Sequence, residues 1–86
     1  MTIYLATDHA GFELKNGLKE FLLARECTVE DCGAHTYDAD DDYPDFIAAA
    51  AKAVAANPLE HRAIIFGGSG QGEAMLANRF ANVRAA

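Results

Sequence analysis

A glycine-rich segment, GGSGQGE at residues 67–73, has the residue types of an anion-binding loop. Four of its first six residues are glycines, which let successive backbone N–H groups turn toward one bound negative oxygen. A helix predicted to follow the loop would add the partial positive charge of its N-terminus. The pattern fits two interpretations about equally well, a plain strand-to-helix turn and an anion or oxyanion site.

Three known loop motifs can be compared with this segment letter by letter, and each fails. The dinucleotide-binding fingerprint needs a glycine where Glu73 stands, and the ATP-type loop needs a lysine at the same position. A carboxylate at this position would repel a triphosphate. The serine-hydrolase elbow needs a glycine two residues after Ser69, where the sequence has Gln71. The segment therefore predicts neither nucleotide binding nor a nucleophilic serine.

Glu73 is the residue of this segment whose side chain could act as a base. A carboxylate in the first turn of a helix is usually only a favourable partner of the helix dipole. This carboxylate adjoins a loop suited to hold a negative oxygen. A base beside an oxyanion hole is what proton abstraction next to a carbonyl group requires.

Asp8 and His9 are further candidates, in the turn after the first predicted strand. Such a pair faces the cleft of an α/β protein, although it more often makes only local hydrogen bonds. The acidic run at residues 38–42 resembles the start of a calcium loop, but Tyr43 and Ala49 replace its required glycine and glutamate. We interpret most of the run as solvated loop and predict no metal site. Tyr43 fits either an aromatic helix entry or a wall of a substrate site.

Hydrophobic patterning predicts the elements that position these residues, in the order β-α-β-α-β-α-β. We expect strands at residues 3–7, 27–31 and 63–66, and a fourth strand from Val83 onward. The inner faces of the three helices are predicted to carry, in turn, Leu14, Leu18, Phe21 and Leu22; Ile47, Ala50, Ala51 and Val54; and, over residues 73–80, Leu76 and Phe80. This order predicts a parallel sheet with helices on both faces, in which ligands lie at the carboxyl ends of the strands.

Composition and charge exclude several classes of function. The length of 86 residues predicts one small domain. With 13 acidic and 7 basic residues, the net charge of −6 argues against binding of nucleic acid or an anionic membrane. The two cysteines are too few for a disulfide framework or a zinc site. No apolar run approaches the ~18 residues of a membrane span, and no signal segment is evident, so we expect a cytoplasmic location.

Taken together and in order, the motifs resemble the ribose-5-phosphate isomerase B family, which includes the galactose-6-phosphate isomerase subunits. The resemblance rests on DHAG at residues 8–11 with LK at 14–15, DCGA at 31–34, residues 37–44, and GGSGQGE at 67–73 with ANR at 77–79. It implies a Rossmann-like, three-layer α/β/α sandwich with a parallel sheet. It also implies a homodimer, or a tetramer, with active sites shared between subunits. The implied reaction interconverts D-ribose 5-phosphate and D-ribulose 5-phosphate, in the pentose phosphate pathway, without metal or organic cofactor.

The resemblance also implies a role for each candidate residue. The glutamate at the end of the glycine-rich loop places this chain in the branch that uses glutamate as its base, so Glu73 would move a proton between C1 and C2 through a cis-enediolate. Asp8 would assist ring opening and bind a sugar hydroxyl, His9 would line the sugar-phosphate site, and Tyr43 would be a wall. The backbone N–H groups of the glycine-rich loop would hold the enediolate oxygen, which makes substrate-binding positions of Gly68, Ser69, Gly70, Gln71 and Gly72. Ser69 would also help to orient the sugar.

The family's chain is longer than this one, and its second half carries the ring-opening histidine and the phosphate-binding arginines. We therefore expect residues 1–86 to be a single incomplete domain, truncated at the fourth strand of an isomerase. Two alternatives stay open. In the first, the substrate is a six-carbon phosphosugar, such as galactose 6-phosphate or allose 6-phosphate. In the second, 86 residues is the natural length and the chain is a non-catalytic remnant that binds sugar phosphates.

Overall fold

The computed structural model describes residues 1–86 as a single sheet with flanking helices. Three strands alternate with three α-helices, and a short 3-10 turn, His9–Gly11, precedes the first helix. The elements are β1 (Thr2–Ala6), α1 (Phe12–Ala24), β2 (Thr28–Asp31), α2 (Pro44–Ala56), β3 (His61–Ile65) and α3 (Gln71–Ala77). The predicted order is therefore confirmed as far as the third helix. No helix is both long enough and apolar enough to cross a membrane.

The sheet is parallel, in the order β2-β1-β3. Because β1 lies in the centre, the connection through α1 runs to one side of it and the connection through α2 crosses to the other. Right-handed crossovers therefore place these two helices on opposite faces, α1 against β1 and β2, and α2 against β1, β3 and α3. The predicted α/β class with helices on both faces is confirmed. The order reverses between β1 and β3, which is where sheets of this kind bind ligands.

The core lies between the sheet and α2. Its buried members are small or branched apolar residues: Ala6, Ile47, Ala50, Ala51 and Ala77. Alanines on the inner face of α2 let this helix approach the sheet closely, and Ile47 fills the space that remains. The predicted inner face of α2 is therefore confirmed at three of its four positions, and the fourth, Val54, is half-buried.

The predicted inner face of α1 is wrong in two of its four residues. Leu14 and Phe21 are 66% and 52% exposed, whereas Lys15 is fully buried. The buried lysine is possible because its ammonium group donates hydrogen bonds to both Asp31 carboxylate oxygens, at 2.8 and 2.9 Å, and to the Ala34 carbonyl at 2.6 Å. Because its charge is paired and hydrogen-bonded, a lysine can occupy a core position on this helix.

The predicted fourth strand is absent from the structure. Residues 83–86 are not in a strand, and the side-chain amide of Asn78 instead bonds the backbone of Ala85. Its Oδ1 accepts from the Ala85 N–H at 2.8 Å, and its Nδ2 donates to the Ala85 carbonyl at 3.1 Å. These two bonds engage the backbone N–H and carbonyl of Ala85, which strand pairing would otherwise use. The helix α3 also ends at Ala77 rather than at the predicted Phe80.

Candidate active site

The loops that follow β1 and β3 leave the sheet side by side. Pairing continues one residue beyond the strands, because the Phe66 N–H donates to the Ala6 carbonyl at 3.0 Å. The Thr7 hydroxyl then donates to the Phe66 carbonyl at 3.3 Å. Asp8 follows Thr7 and Gly67 follows Phe66, so the backbones of Asp8 and Gly67 lie near each other, at the crevice between the two strands.

Thr7 is also tied to the loop after β2. Its N–H donates to the Gly33 carbonyl at 2.8 Å, and its carbonyl accepts from the Ala34 N–H at 2.7 Å. Thr7 is completely buried, so the backbone that leads into the turn with Asp8 is held from both sides. All three strand ends thus contribute to one rigid platform beneath the candidate site.

Asp8 caps the short turn that begins the first loop. Its Oδ1 accepts a hydrogen bond from the Ala10 N–H at 2.9 Å, and the side chain is buried. This is the local hydrogen bond that an aspartate in a turn often makes. The bond fixes the carboxylate at the carboxyl end of β1, where the sequence prediction places it.

Glu73 lies in the first turn of α3 and points back to the end of β3. The residue is only 5% exposed, and its carboxyl group lies directly against the backbone of Gly67. A Cβ atom on Gly67 would overlap the Glu73 carboxyl atoms, so only glycine leaves room for this side chain. The carboxylate takes part in none of the ion pairs of the molecule. The carboxylate is therefore not engaged with a cationic side chain of this chain.

The loop between Gly67 and α3 is open and has unused donors. Gly70 has a φ of +79°, in the left-handed region that favours glycine. A Cβ atom on Gly68 or on Gly70 would meet no neighbour within 4 Å, so the space above the loop is free. The backbone N–H groups of Gly68, Ser69 and Gly70 donate no backbone hydrogen bond within the chain. These groups are therefore available to an anion. The Ser69 hydroxyl accepts from the Gln71 N–H at 3.2 Å.

Tyr43 reaches the glycine-rich loop from the start of α2. Its hydroxyl lies so near Gly72 that a Cβ atom there would be 2.7 Å from the tyrosine oxygen. Both residues line a cavity of about 290 Å³, which Pro44, Met75, Leu76 and Arg79 complete. The Tyr43 side chain thus lies against the loop, on the side formed by α3. Asp8 and Glu73 do not line this cavity.

His9 is held by Asp41, a residue of the acidic run. Asp41 Oδ1 lies 2.9 Å from the His9 ring Nδ1 and accepts from the His9 backbone N–H at 2.8 Å. The hydrogen bond with Asp41 raises the pKa of His9 above its usual 6.5, against the opposing effect of desolvation, and the charge of Asp8 adds to the rise. Burial alone would raise the pKa of Asp41, but its hydrogen bonds with His9 outweigh this effect and lower it.

Sequence reasoning missed the role of Asp41. The residue lies in a run interpreted mostly as solvated loop, yet its side chain is only 11% exposed. Nothing in the run distinguishes it from the neighbouring aspartates, so no local signal identifies it. Oxygen and nitrogen atoms of Asp8, His9 and Asp41 lie within 4.8 Å of one another. The hydrogen bonds between His9 and Asp41 account for this proximity, and we assign no metal to it.

The sequence profile of a family described as Ribose/Galactose Isomerase matches residues 3–86. The chain belongs to the ribose/galactose isomerase family. Among its curated relatives, ribose-5-phosphate isomerase B of Mycolicibacterium paratuberculosis is 48% identical over 86 residues, which is 100% of this chain and 54% of that protein. The Mycobacterium tuberculosis protein of the same name is also 48% identical over the whole chain, which covers 52% of it. The chain therefore spans about half the length of these relatives.

Solved structures of the family share the fold. Ribose-5-phosphate isomerase B of Mycoplasma genitalium, crystallised with bound ribulose-5-phosphate, superposes with a TM-score of 0.92 at 38% identity, over 95% of this chain and 54% of that chain. The Clostridium thermocellum protein superposes with a TM-score of 0.88 at 36% identity, over 98% of this chain and 55% of that chain. The resemblance inferred from the motifs is thus confirmed, and so is the fold class.

Proposed function

We propose that this chain carries part of the active site of an aldose–ketose isomerase that interconverts D-ribose 5-phosphate and D-ribulose 5-phosphate. The observation that supports this proposal most is the placement of Glu73. Its buried carboxylate has no cationic partner, lies at the carboxyl end of β3 and adjoins a loop with free backbone N–H groups. A base next to donors for a negative oxygen is the arrangement that enolisation requires.

In the proposed reaction, the Glu73 carboxylate removes the proton on C2 of the open-chain aldose. The electron pair of the C2–H bond forms the C1–C2 double bond, and the C1 carbonyl becomes an enediolate oxygen. The same carboxylic acid then returns the proton to C1. The proton of the C2 hydroxyl passes to the C1 oxygen, so the C2 oxygen becomes the ketone of the product and the C1 oxygen becomes a hydroxyl. In the proposed cis-enediolate both oxygens lie on the same side of the C1–C2 double bond, where the N–H donors of one loop can reach them.

The other residues are proposed to bind and orient the sugar. Backbone N–H groups of the loop at residues 68–72 stabilise the enediolate oxygen, chiefly those of Gly68, Ser69 and Gly70, since the Gln71 N–H donates to the Ser69 hydroxyl. Loss of one such donor typically costs about 10²–10³ in kcat. Asp8 binds a sugar hydroxyl and assists ring opening, while Tyr43 bounds the site on the side of α3. His9 faces the phosphate end of the substrate.

We assign this activity to the full-length protein, acting as a homodimer or a tetramer in the cytoplasm. A phosphate dianion needs cationic, charge-assisted hydrogen bonds. Asp8, Asp41 and Glu73 contribute carboxylates to the site, and His9 is the one of these four residues whose side chain can carry a positive charge. Further cationic ligands for the phosphate are therefore required from outside these residues.

Conversion of ribose 5-phosphate to ribulose 5-phosphate by the Glu73→Gln variant tests the proposal. General-base catalysis contributes about 10²–10⁴ in rate, so we expect turnover to fall by at least 10². Glu20→Gln is the matched control, because Glu20 is an exposed glutamate of α1 away from the site. Wild-type turnover in Glu73→Gln would contradict the assignment of the base.

The family description names galactose as well as ribose, which keeps a six-carbon phosphosugar as a second candidate substrate. Comparison of kcat/KM for ribose 5-phosphate, galactose 6-phosphate and allose 6-phosphate distinguishes the candidates, and we expect ribose 5-phosphate to give the highest value. Binding of all three without turnover of any would favour a non-catalytic sugar-phosphate-binding protein.

A further inference from the structure

We propose that Asp41 is a positioning residue that holds the His9 imidazole by Nδ1, so that Nε2 is the ring nitrogen presented to the phosphate group of the substrate. This inference rests on the proposed function, because it assumes that a sugar phosphate occupies the site. It adds a residue that neither the motifs nor the resemblance assign.

Asp41 is the one member of the acidic run that reaches across to another loop. Its Oδ1 receives two contacts from His9, the backbone N–H at 2.8 Å and the ring Nδ1 at 2.9 Å, from 32 residues away. The hydrogen bonds of its neighbours are local, from the Asp40 N–H to Asp38 and from the Tyr43 N–H to Asp42. Asp38, Asp40 and Asp42 are exposed, whereas Asp41 is largely buried.

The two contacts fix both the place and the orientation of the ring. The backbone contact holds the turn that carries His9, and the Nδ1 contact restricts rotation about the side chain. The Tyr37 ring packs edge-on against the imidazole, with ring centres 6.2 Å apart, and restricts the movement of the His9 ring on a second side. With Nδ1 occupied by Asp41, Nε2 is the ring nitrogen left for a ligand.

The charges around His9 favour a protonated ring. Asp41 and Asp8 are the carboxylates that act on it, and both raise its pKa. His9 also lines an open cleft of about 550 Å³ with Ala10, Glu13, Leu14 and Tyr37, so Glu13 and Tyr37 are the other titratable groups that face it. A protonated imidazole forms a charge-assisted hydrogen bond with a phosphate oxygen, whereas a neutral ring forms a weaker one.

Asp41→Asn tests the proposal, because it removes the charge and keeps the shape of the side chain. We expect the pKa of His9, followed by NMR titration of its ring protons, to fall toward the ordinary value of about 6.5. We expect KM for ribose 5-phosphate to rise about tenfold or more at pH 7.5, with kcat within about threefold of wild type, since the base is untouched. Asp41→Glu, which retains the carboxylate, should restore part of the affinity.

Asp40→Asn is the matched control, because it removes the same charge from an exposed position one residue away. It should change neither the pKa of His9 nor KM. An equal effect of both variants would overturn the proposal, since a general loss of negative charge would then explain the result. An unchanged KM in Asp41→Asn would also overturn it.

The NMR titration requires no catalysis, so it separates this proposal from the proposed function. A wild-type His9 pKa at or below about 6.5 would overturn the role of Asp41 even in an active enzyme and without any variant. Conversely, if the protein lacks isomerase activity, affinity for inorganic phosphate replaces KM as the second readout. Weaker phosphate binding by Asp41→Asn than by Asp40→Asn would support the positioning role.

Discussion

Gly67 and Glu73 depend on each other at the scale of single residues. The glutamate side chain occupies the space that any other residue at position 67 would need for its Cβ atom. The glycine at the end of β3 is thus explained by the position of the carboxylate rather than by its own backbone conformation, since its φ is not in the left-handed region. The two residues form one unit of the candidate site.

Gly67→Ala is expected to displace the Glu73 carboxylate. The overlapping atoms are the far end of a flexible side chain that can turn aside, so we expect the free energy of unfolding to change little and isomerase activity to fall at least tenfold. Urea unfolding and the isomerase assay measure the two effects. Gly17→Ala in α1 is the control, because no atom lies within 4 Å of its added Cβ. Wild-type activity in Gly67→Ala would show that the carboxylate does not need its observed position.

At the scale of the elements, a buried ion pair connects α1 to the end of β2. Lys15 donates to both oxygens of Asp31 and to the Ala34 carbonyl, and the Gly33 N–H donates to Asp31 at 2.9 Å. Burial would raise the pKa of Asp31, but the bonds from Lys15 and Gly33 outweigh this effect and lower it. Because Gly33 and Ala34 bond Thr7, the ion pair supports the platform beneath Asp8.

Removal of one partner of this pair should destabilise the fold strongly. Lys15→Met leaves the Asp31 charge buried and uncompensated, which typically costs about 3–5 kcal/mol. Lys19→Met is the control, since Lys19 is more exposed and lies 3.4 Å from Asp31, and such pairs contribute about 0–1 kcal/mol. Equal unfolding free energies for the two variants in urea would contradict this account.

The pH dependence of stability follows from the lowered pKa of Asp31. The contribution of the ionised carboxylate is present above the unfolded-state pKa of about 3.9 and is lost as the pH falls through the lower folded-state value. The stability difference between wild type and Asp31→Asn, measured in urea, should therefore be largest near neutral pH and shrink below pH 4. A difference that is constant down to pH 2 would contradict the ion pair.

Sequence patterns predicted the elements whose structure depends on local apolar spacing. The small residues of α2 predicted its buried face, and the run that ends in Phe66 predicted β3, because both signals lie within one element. The face of α1 could not be predicted, since Lys15 is buried by bonds to residues 16 and 19 positions away. Asp8 and Glu73 were predicted as candidates because their loops follow predicted strands, and the structure places both residues at strand ends. Asp41 was not found, because only the folded chain brings it to His9.

At the scale of the whole molecule, the free edge of β3 is the most exposed part of the sheet. Arg62, Ala63 and Ile64 are exposed, and a largely apolar groove of about 310 Å³ runs along the edge beside α2 and residues 83–86. An unpaired edge with apolar neighbours is a template for pairing with another strand.

The 86-residue chain is expected to self-associate through this edge. Sedimentation over a range of concentrations should show association at tens of micromolar, and Ile64→Lys should shift it to higher concentration, because a charged edge residue opposes pairing. Glu20→Lys, which adds positive charge at an exposed position of α1 on the other side of the sheet, is the control. A monomer at all concentrations would contradict the proposed role of the edge.

Solvent deuterium incorporation tests the central claim, that Glu73 transfers the proton through an enediolate, most directly. When ribose 5-phosphate is converted in D₂O, a proton held on the Glu73 carboxyl group exchanges with solvent before it returns to carbon. NMR of the product should therefore show deuterium on C1 of ribulose 5-phosphate. We expect the rate of deuterium incorporation to fall by a factor of at least 10² in Glu73→Gln and to stay at the wild-type level in Glu20→Gln. Deuterium incorporation at the wild-type rate in Glu73→Gln would contradict the account.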